Sequence, residues 1–263
     1  MRIIPIKIRF GTEEYTDGVT LSHRGFFEKL IETDALPQTS QVSSYEFSEV
    51  FRELGEDGDE IICLPISSKL SGTYQNAVMA ASEAREKVTV IDTENVCVGL
   101  RLLIWRAAAL RDAGLSAEEI VAQLESEKRN IHVIALLDTL EYLKKGGRIS
   151  AATAFAGGVL SIKPVIEITG GEVALLGKAR GSRAGNNRLN EKVAEAGGID
   201  FSMPLCLTYS GLNDELLQKY IADSEALYKG KVDKLPISSV GCTIGVHVGP
   251  GLVGIAFYAA KGK

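Results

Sequence analysis

"EIICLPISSKLSGTYQ", residues 60–75, carries an apolar run into a hydroxyl-rich corner and out into a helix start. The run is apolar on both faces of an extended chain, the pattern of a buried strand. Ser71 stands where an N-cap belongs, with Gly72 and Thr73 just inside the helix. Strand, loop and helix in that order are one unit of an α/β fold. A helix N-terminus leaves backbone N–H groups unpaired and carries partial positive charge, so the corner can hold a carboxylate or phosphate with help from its hydroxyls. A plain cap that binds nothing explains the same letters.

Outward from this stretch the pattern repeats. "KVTVID" (87–92) and "IHVIALL" (131–137) read as further buried strands, with helices between them. Ser43 with Glu46 spells a capping box, stapled by Val42 and Phe47, and Ser116 with Glu119 repeats the device with Leu115 and Ile120. "GLRLLIWRAAALRDAG" (99–114) reads as a helix stopped by Gly114, with Trp105 expected in the core. After "YLKKGGRISAATAFAGG" (142–158) the texture turns to strands: "LSIKPVIEIT" and "EVALLGKAR" form a hairpin across Gly170-Gly171. A helix near 186–196, the strand "PLCLTY", the helix "NDELLQKYIADSEALY" and a final strand pair, "GCTIGVHVG" and "LVGIAFYAA", follow. The expected fold is α/β in two domains, residues 1–155 and 156–263, joined by a Gly/Ala-rich hinge between about 150 and 160. The first would hold a mainly parallel sheet in three α/β/α layers, and the second a mixed sheet with helices.

The 263 residues are 45% hydrophobic and 24% charged, enough for a full-sized core. A formal net charge of -5 argues against a broad nucleic-acid footprint. Cys63, Cys97, Cys206 and Cys242 are too widely spaced for a C-x-x-C zinc or redox site and read as small hydrophobes in a reducing compartment. "MRIIPIKIRF" lacks the apolar centre of a signal peptide, and no stretch approaches a membrane span, so the expected location is cytoplasmic with no stable membrane insertion.

A second hydroxyl cluster, "PQTSQ" (37–41), precedes the Ser43 helix. Were the two loops at one sheet edge, Thr39, Ser40 and Ser71 could converge on one anion. His247, in "GVHVGPG", is read at a strand end before a tight turn; a structural histidine fits there as well as a ligand contact. His23 reads as a surface helix residue, and His132 opens a strand. "GPGLVG" (249–254) matches G-x-G-x-x-G by letter only, because Pro250 interrupts it and a strand follows. No Walker loop, nucleophile elbow or H-E-x-x-H pair occurs, so no catalytic residue, metal or cofactor is expected. Lys178, Arg180, Arg183 and Arg188 form a basic cluster suited to an acidic partner or to a solvated rim. Lys144, Lys145 and Arg148 form another, at a helix C-terminus that favours cations.

"PQTSQ", "SSKLSGTYQNA", "YLKKGGRI", "IKP", "KARG" and "HVGPG" together resemble, in order and interval, the motif series of the DegV family, from about residue 3 to the C-terminus. The resemblance implies a two-domain α/β protein that buries a long-chain fatty acid between its domains. It also implies the non-catalytic, acyl-binding subunit of the bacterial fatty acid kinase system, which presents the carboxylate to a separate ATP-dependent kinase that makes acyl phosphate. On that pattern Thr39 or Ser40 and Ser71 contact the carboxylate, the Gly72 backbone assists, His247 lies near the head group, and Arg180 matches a kinase-docking position. Two departures stand out: the strand ending in Asp-Ser that ordinarily precedes "IIPIKIRF" is not in this sequence, and Val248 replaces a frequent threonine. The competing readings are a dihydroxyacetone-kinase-type enzyme, which wants a substrate-holding histidine in the first domain, and a regulatory protein acting through the Arg180 cluster.

Overall fold

The computed structural model describes residues 1–33, 36–149 and 162–260, and among these residues there are three sheets and ten α-helices. Strands β1 (Lys7–Phe10) and β2 (Glu13–Thr16) lead to helix α1 (His23–Glu32) and β3 (Gln38–Ser40). Then come α2 (Ser44–Gly55), β4 (Ile61–Cys63), α3 (Thr73–Glu83), β5 (Val88–Val90), α4 (Cys97–Asp112), α5 (Ala117–Glu127), β6 (Ile131–Leu136) and the short α6 (Glu141–Lys145). The remainder is β7 (Ile162–Thr169), β8 (Glu172–Arg180), α7 (Gly181–Glu195), β9 (Leu205–Tyr209), α8 (Glu215–Asp223), α9 (Glu225–Tyr228), β10 (Ile237–Ser239), α10 (Cys242–Val248) and β11 (Val253–Tyr258).

The architecture is α/β, with a parallel sheet in the first half and a mixed sheet covered by helices in the second. The parallel sheet is the pair β4-β5, flanked by a small antiparallel sheet of order β2-β1-β3. The mixed sheet has the order β10-β9-β11-β6-β7-β8, parallel only between β10 and β9. Strand β6, read with the strands of the first half, is a central strand here, antiparallel to β11 on one side and β7 on the other. Its alternate residues explain this: Ile131 and Val133 pack in one buried cluster with Leu102, Leu103 and Leu124, while Ile134 and Leu136 pack in another with Leu189 and Leu217. A strand buried on both faces needs cover on both, and each such side chain contributes about 1.5–3 kcal/mol. The Gly/Ala-rich hinge lies outside the described residues.

Local signals form the elements they promise. Both capping boxes are made, Ser43 with Glu46 and Ser116 with Glu119. Val42 and Phe47 share one apolar cluster, Leu115 and Ile120 another. Gly170 and Gly171, at φ 55° and 83°, turn the β7-β8 hairpin through the left-handed region that two-residue turns require. Trp105 departs from expectation: it is 38% exposed, on the outer face of α4 beside Arg101.

The larger correction concerns "GCTIGVHVG", which is helix α10 and not a strand. Its alternating apolar letters and β-branched residues favour extension, but tertiary contacts override them. The Asp17 carboxylate accepts hydrogen bonds from the Cys242 N–H (3.0 Å) and the Thr243 N–H (2.8 Å), supplying from a distant loop the cap the helix lacks. Cys242 and Val246 then pack on Phe26 and Phe27 of α1. Gly245 permits that approach, since a Cβ there would stand 2.5 Å from a Phe26 ring carbon. Among the described residues no helix is long and apolar enough to cross a membrane.

Candidate functional site

After β4 the chain makes a tight turn in which the Leu70 and Ser71 N–H groups both bond the Ser67 carbonyl. The hydroxyls of this corner then divide their work. Ser67, fully buried, donates to the Gly171 carbonyl at the tip of the β7-β8 hairpin (2.7 Å), and Ser68 donates to the Asp92 carboxylate. Both are structural. Ser71 stands one position earlier than read from the letters: helix α3 begins at Thr73, Gly72 occupies the cap position, and Ser71 Oγ accepts from the Thr73 N–H (3.2 Å). Thr73 Oγ1, 2.9 Å from Ser71 Oγ, accepts from the Val42 N–H (3.3 Å), and Asn76 Nδ2 donates to the Val42 carbonyl (2.7 Å). These bonds stitch the "PQTSQ" segment to the start of α3. That segment is not a loop throughout: residues 38–40 form β3, with Thr39 opposite Ile8.

The two hydroxyl clusters therefore meet. Thr39, Ser40, Ser71, Gly72 and His247 line one cavity of about 410 Å³, within the range of small-molecule sites. Thr39 Oγ1 lies 3.2 Å from His247 Nε2. His247 sits in the last turn of α10, where burial, then the neighbouring Arg148 charge, pushes its pKa down to about 4. The imidazole is neutral at neutral pH, and its buried Nδ1 has no hydrogen-bond partner among the described residues.

Arg148 is the residue the sequence reading missed. Counted there with a helix-end patch, it lines the cavity and is the only charged side chain among the described residues that do so, with His247 neutral. Its Nε donates to the Leu70 carbonyl (3.1 Å) and its Nη1 to the Gly146 carbonyl (2.7 Å), which fixes the guanidinium beside the hydroxyl corner. The signal was the glycine pair before it, which turns the chain back after α6, with Gly147 at φ 69°. Gln41 also lines this end. No carboxylate lines the cavity among the described residues, so its polar end favours an anion.

The rest of the wall is apolar, with Val133 and Ala135 from β6, Ile166 and Ile168 from β7, and Ile244 and Val248 from α10. The lining thus draws on both halves of the chain. A second cavity of about 480 Å³ shares Ile6, Ile66, Val96, Cys97, Val98, Thr243 and Ile244 with the first, and Asp17 and Arg101 are among its other lining residues. His23 lines this second cavity, its Nδ1 3.0 Å from Ser239 Oγ. His132 is tied to Glu167 (2.8 Å). Cys206 and Cys242 are buried thiols, while Cys63 and Cys97 are half-buried, with burial pushing Cys63 up to about 12 and Cys97 to about 11.

Arg180 does not join the cavity: it is exposed at the junction of β8 and α7. Lys178 and Arg183 are exposed near it, while Arg188 is engaged by Glu191 (2.7 Å) and Glu195 (3.8 Å).

Comparison with known proteins follows the same lines. The family described as "Uncharacterised protein, DegV family" matches residues 1–260. A DegV domain-containing protein of Deinococcus radiodurans is 36% identical over 258 residues, 96% of this chain and 89% of that one. Another, from Caldanaerobacter subterraneus subsp. tengcongensis, is 32% identical, covering 97% and 90%. Among solved structures, a Thermus thermophilus DegV family protein described by its fatty acid binding superposes with a TM-score of 0.87 at 33% identity, covering 98% of this chain and 92% of that one. DegV of Bacillus subtilis, described as a fatty acid binding protein, gives a TM-score of 0.84 at 28% identity, covering 98% and 91%.

Proposed function

The chain belongs to the DegV family, and from that premise we propose that it binds a long-chain fatty acid and presents the carboxylate to a partner ATP-dependent kinase. One observation carries the reading: a cavity with apolar walls has, among the described residues, a single cationic lining side chain, Arg148, gathered at one end with Ser71, Thr39 and His247. A carboxylate is costly to bury unpaired, and this end supplies a guanidinium, hydroxyls and the Gly72 backbone at the start of α3 to replace its water. Ser40 contributes a further hydroxyl.

The tail supplies the affinity. At about 0.8 kcal/mol per methylene, a chain of roughly fifteen such groups contributes on the order of 10 kcal/mol before ordering costs. A small hydroxylated substrate would leave the apolar walls without a partner, which disfavours the dihydroxyacetone-kinase-type alternative. The acyl chain runs from the hydroxyl corner between β6, β7 and α10, toward the second cavity. Chemistry belongs to the partner on this reading, and the exposed Arg180, with Arg183 beside it, is the docking patch for an acidic surface of that kinase.

The test is direct. The Ser71→Ala, Thr39→Ala double variant should keep its fold by circular dichroism yet bind fatty acid at least tenfold more weakly, from the loss of two hydrogen bonds to a charged group. Unchanged affinity would remove the proposed carboxylate site.

A further inference from the structure

Resting on the reading just given, we propose that Gly146 is a positioning residue for the head group: by facing His247 Nδ1 with a bare Cα it keeps the imidazole hydrogen on Nε2, which makes the Thr39 hydroxyl a donor to the ligand's carboxylate. The two glycines that follow α6 are there for different reasons. Gly147 has φ 69°, a backbone that favours glycine. Gly146 has φ -75° and ψ -8°, which any residue adopts, so its missing side chain answers to space alone. A Cβ there would stand 2.3 Å from His247 Nδ1 and 3.1 Å from its Cε1. The imidazole is seated against the glycine.

That seat decides where the hydrogen goes. His247 Nδ1 is buried with no hydrogen-bond partner among the described residues. Gly146 supplies none, since its N–H donates to the Tyr142 carbonyl (2.8 Å) and its carbonyl accepts from Arg148 Nη1 (2.7 Å). A hydrogen on Nδ1 would be a sealed donor, and orphaned buried N–H groups are rarer in folded proteins than under-used acceptors. Arg148, bonded to the carbonyl of this same glycine and felt by the ring as positive charge, also favours a lone pair over a hydrogen on the Gly146 side. With its hydrogen on Nε2, His247 donates to Thr39 Oγ1 (3.2 Å), the one partner of that hydroxyl among the described residues. The Thr39 hydrogen is then unused, and Thr39 lines the cavity. A hydroxyl that accepts from a histidine has its hydrogen free for the next neighbour, so it suits a carboxylate, which only accepts. With the hydrogen on Nδ1, the same hydroxyl would donate to Nε2 and turn lone pairs toward the anion.

Nitrogen NMR of the imidazoles in the delipidated full chain reads the hydrogen directly. At neutral pH His247 should carry it on Nε2 with a bare Nδ1; a hydrogen on Nδ1 would overturn the inference whatever the protein binds. Calorimetry with hexadecanoic acid reads the consequence. Gly146→Ala should keep the fold by circular dichroism yet bind the acid roughly tenfold more weakly, as expected when one hydrogen bond to a charged group is lost. His247→Met, which leaves no donor, should lose about as much. His247→Gln, whose amide nitrogen reaches the Nε2 position and donates from it, should recover most of that loss. In a Thr39→Val background the Gly146 and His247 substitutions should each change affinity by less than about twofold, because the hydroxyl through which they act is gone. Losses of full size in that background would make Gly146 merely structural and overturn the inference. Should Gly146→Ala fail to fold, the His247 substitutions with and without Thr39→Val decide the matter by the same comparison. Failure of the wild type to bind hexadecanoic acid, with the hydrogen found on Nε2, would instead overturn the underlying reading.

Discussion

His247 and Arg148 set the chemistry of the cavity at the scale of single residues. The folded protein holds the imidazole pKa at about 4, below its ordinary 6.5. The unfolded chain therefore takes up this proton first as pH falls. Stability contributed by the neutral histidine is complete above about pH 6.5 and is lost between 6.5 and 4, by no more than about 3 kcal/mol. Thermal unfolding across that window should show the decline, and His247→Gln should flatten it; an unchanged slope would mean the group is not held neutral. Arg148→Met should weaken fatty acid binding by ten- to a hundredfold, as expected for one charge-assisted pair. Arg148→Lys should recover little, because a lysine cannot bond two backbone carbonyls in that fork while facing the ligand. Titration calorimetry of the three proteins checks this. Ser71, Thr39 and His247 were legible because hydroxyls beside a helix start and a histidine beside Gly-Pro-Gly stand out as letters, and because the motif series resembles a family. Arg148 was not, since its letters fit a solvated helix end equally well and only the turn at Gly146-Gly147 brings it to the cavity wall.

At the scale of elements, α10 is the sensitive part. It is seven residues long, rich in β-branched side chains, and carries both Thr243 and His247 on one side. Its first N–H groups depend on Asp17, a residue more than two hundred positions away in sequence. Asp17→Ala should cost about 1–2 kcal/mol, the loss of a charged cap, read as a lower urea midpoint with an unchanged slope. Fatty acid affinity should fall with it, because His247 would lose the support of its helix. The same dependence explains why this helix was read as a strand: its cap and its packing on Phe26 and Phe27 are long-range, whereas the capping boxes of α2 and α5 lie within four letters and were legible at once.

For the whole molecule, the strands themselves could be read but not their neighbours. Periodicity marks a chain segment as extended and buried without saying which strand lies beside it, so β6 was grouped with β4 and β5 when it pairs with β11 and β7. That placement matters for function, because Val133 and Ala135 of β6 then face the cavity together with Ile166 and Ile168 of β7. The chain carries a net charge of -5, yet its cavity has one cationic and no anionic lining side chain among the described residues. A negative protein that keeps a positive end on an apolar cavity is suited to an amphiphilic anion. The most direct measurement is denaturing extraction of the protein purified from lipid-replete cells, followed by mass spectrometry of the organic phase. The account predicts fatty acid approaching one equivalent per chain, depleted in the Ser71→Ala, Thr39→Ala variant; protein that repeatedly emerges empty, or that carries only neutral lipid, would contradict it.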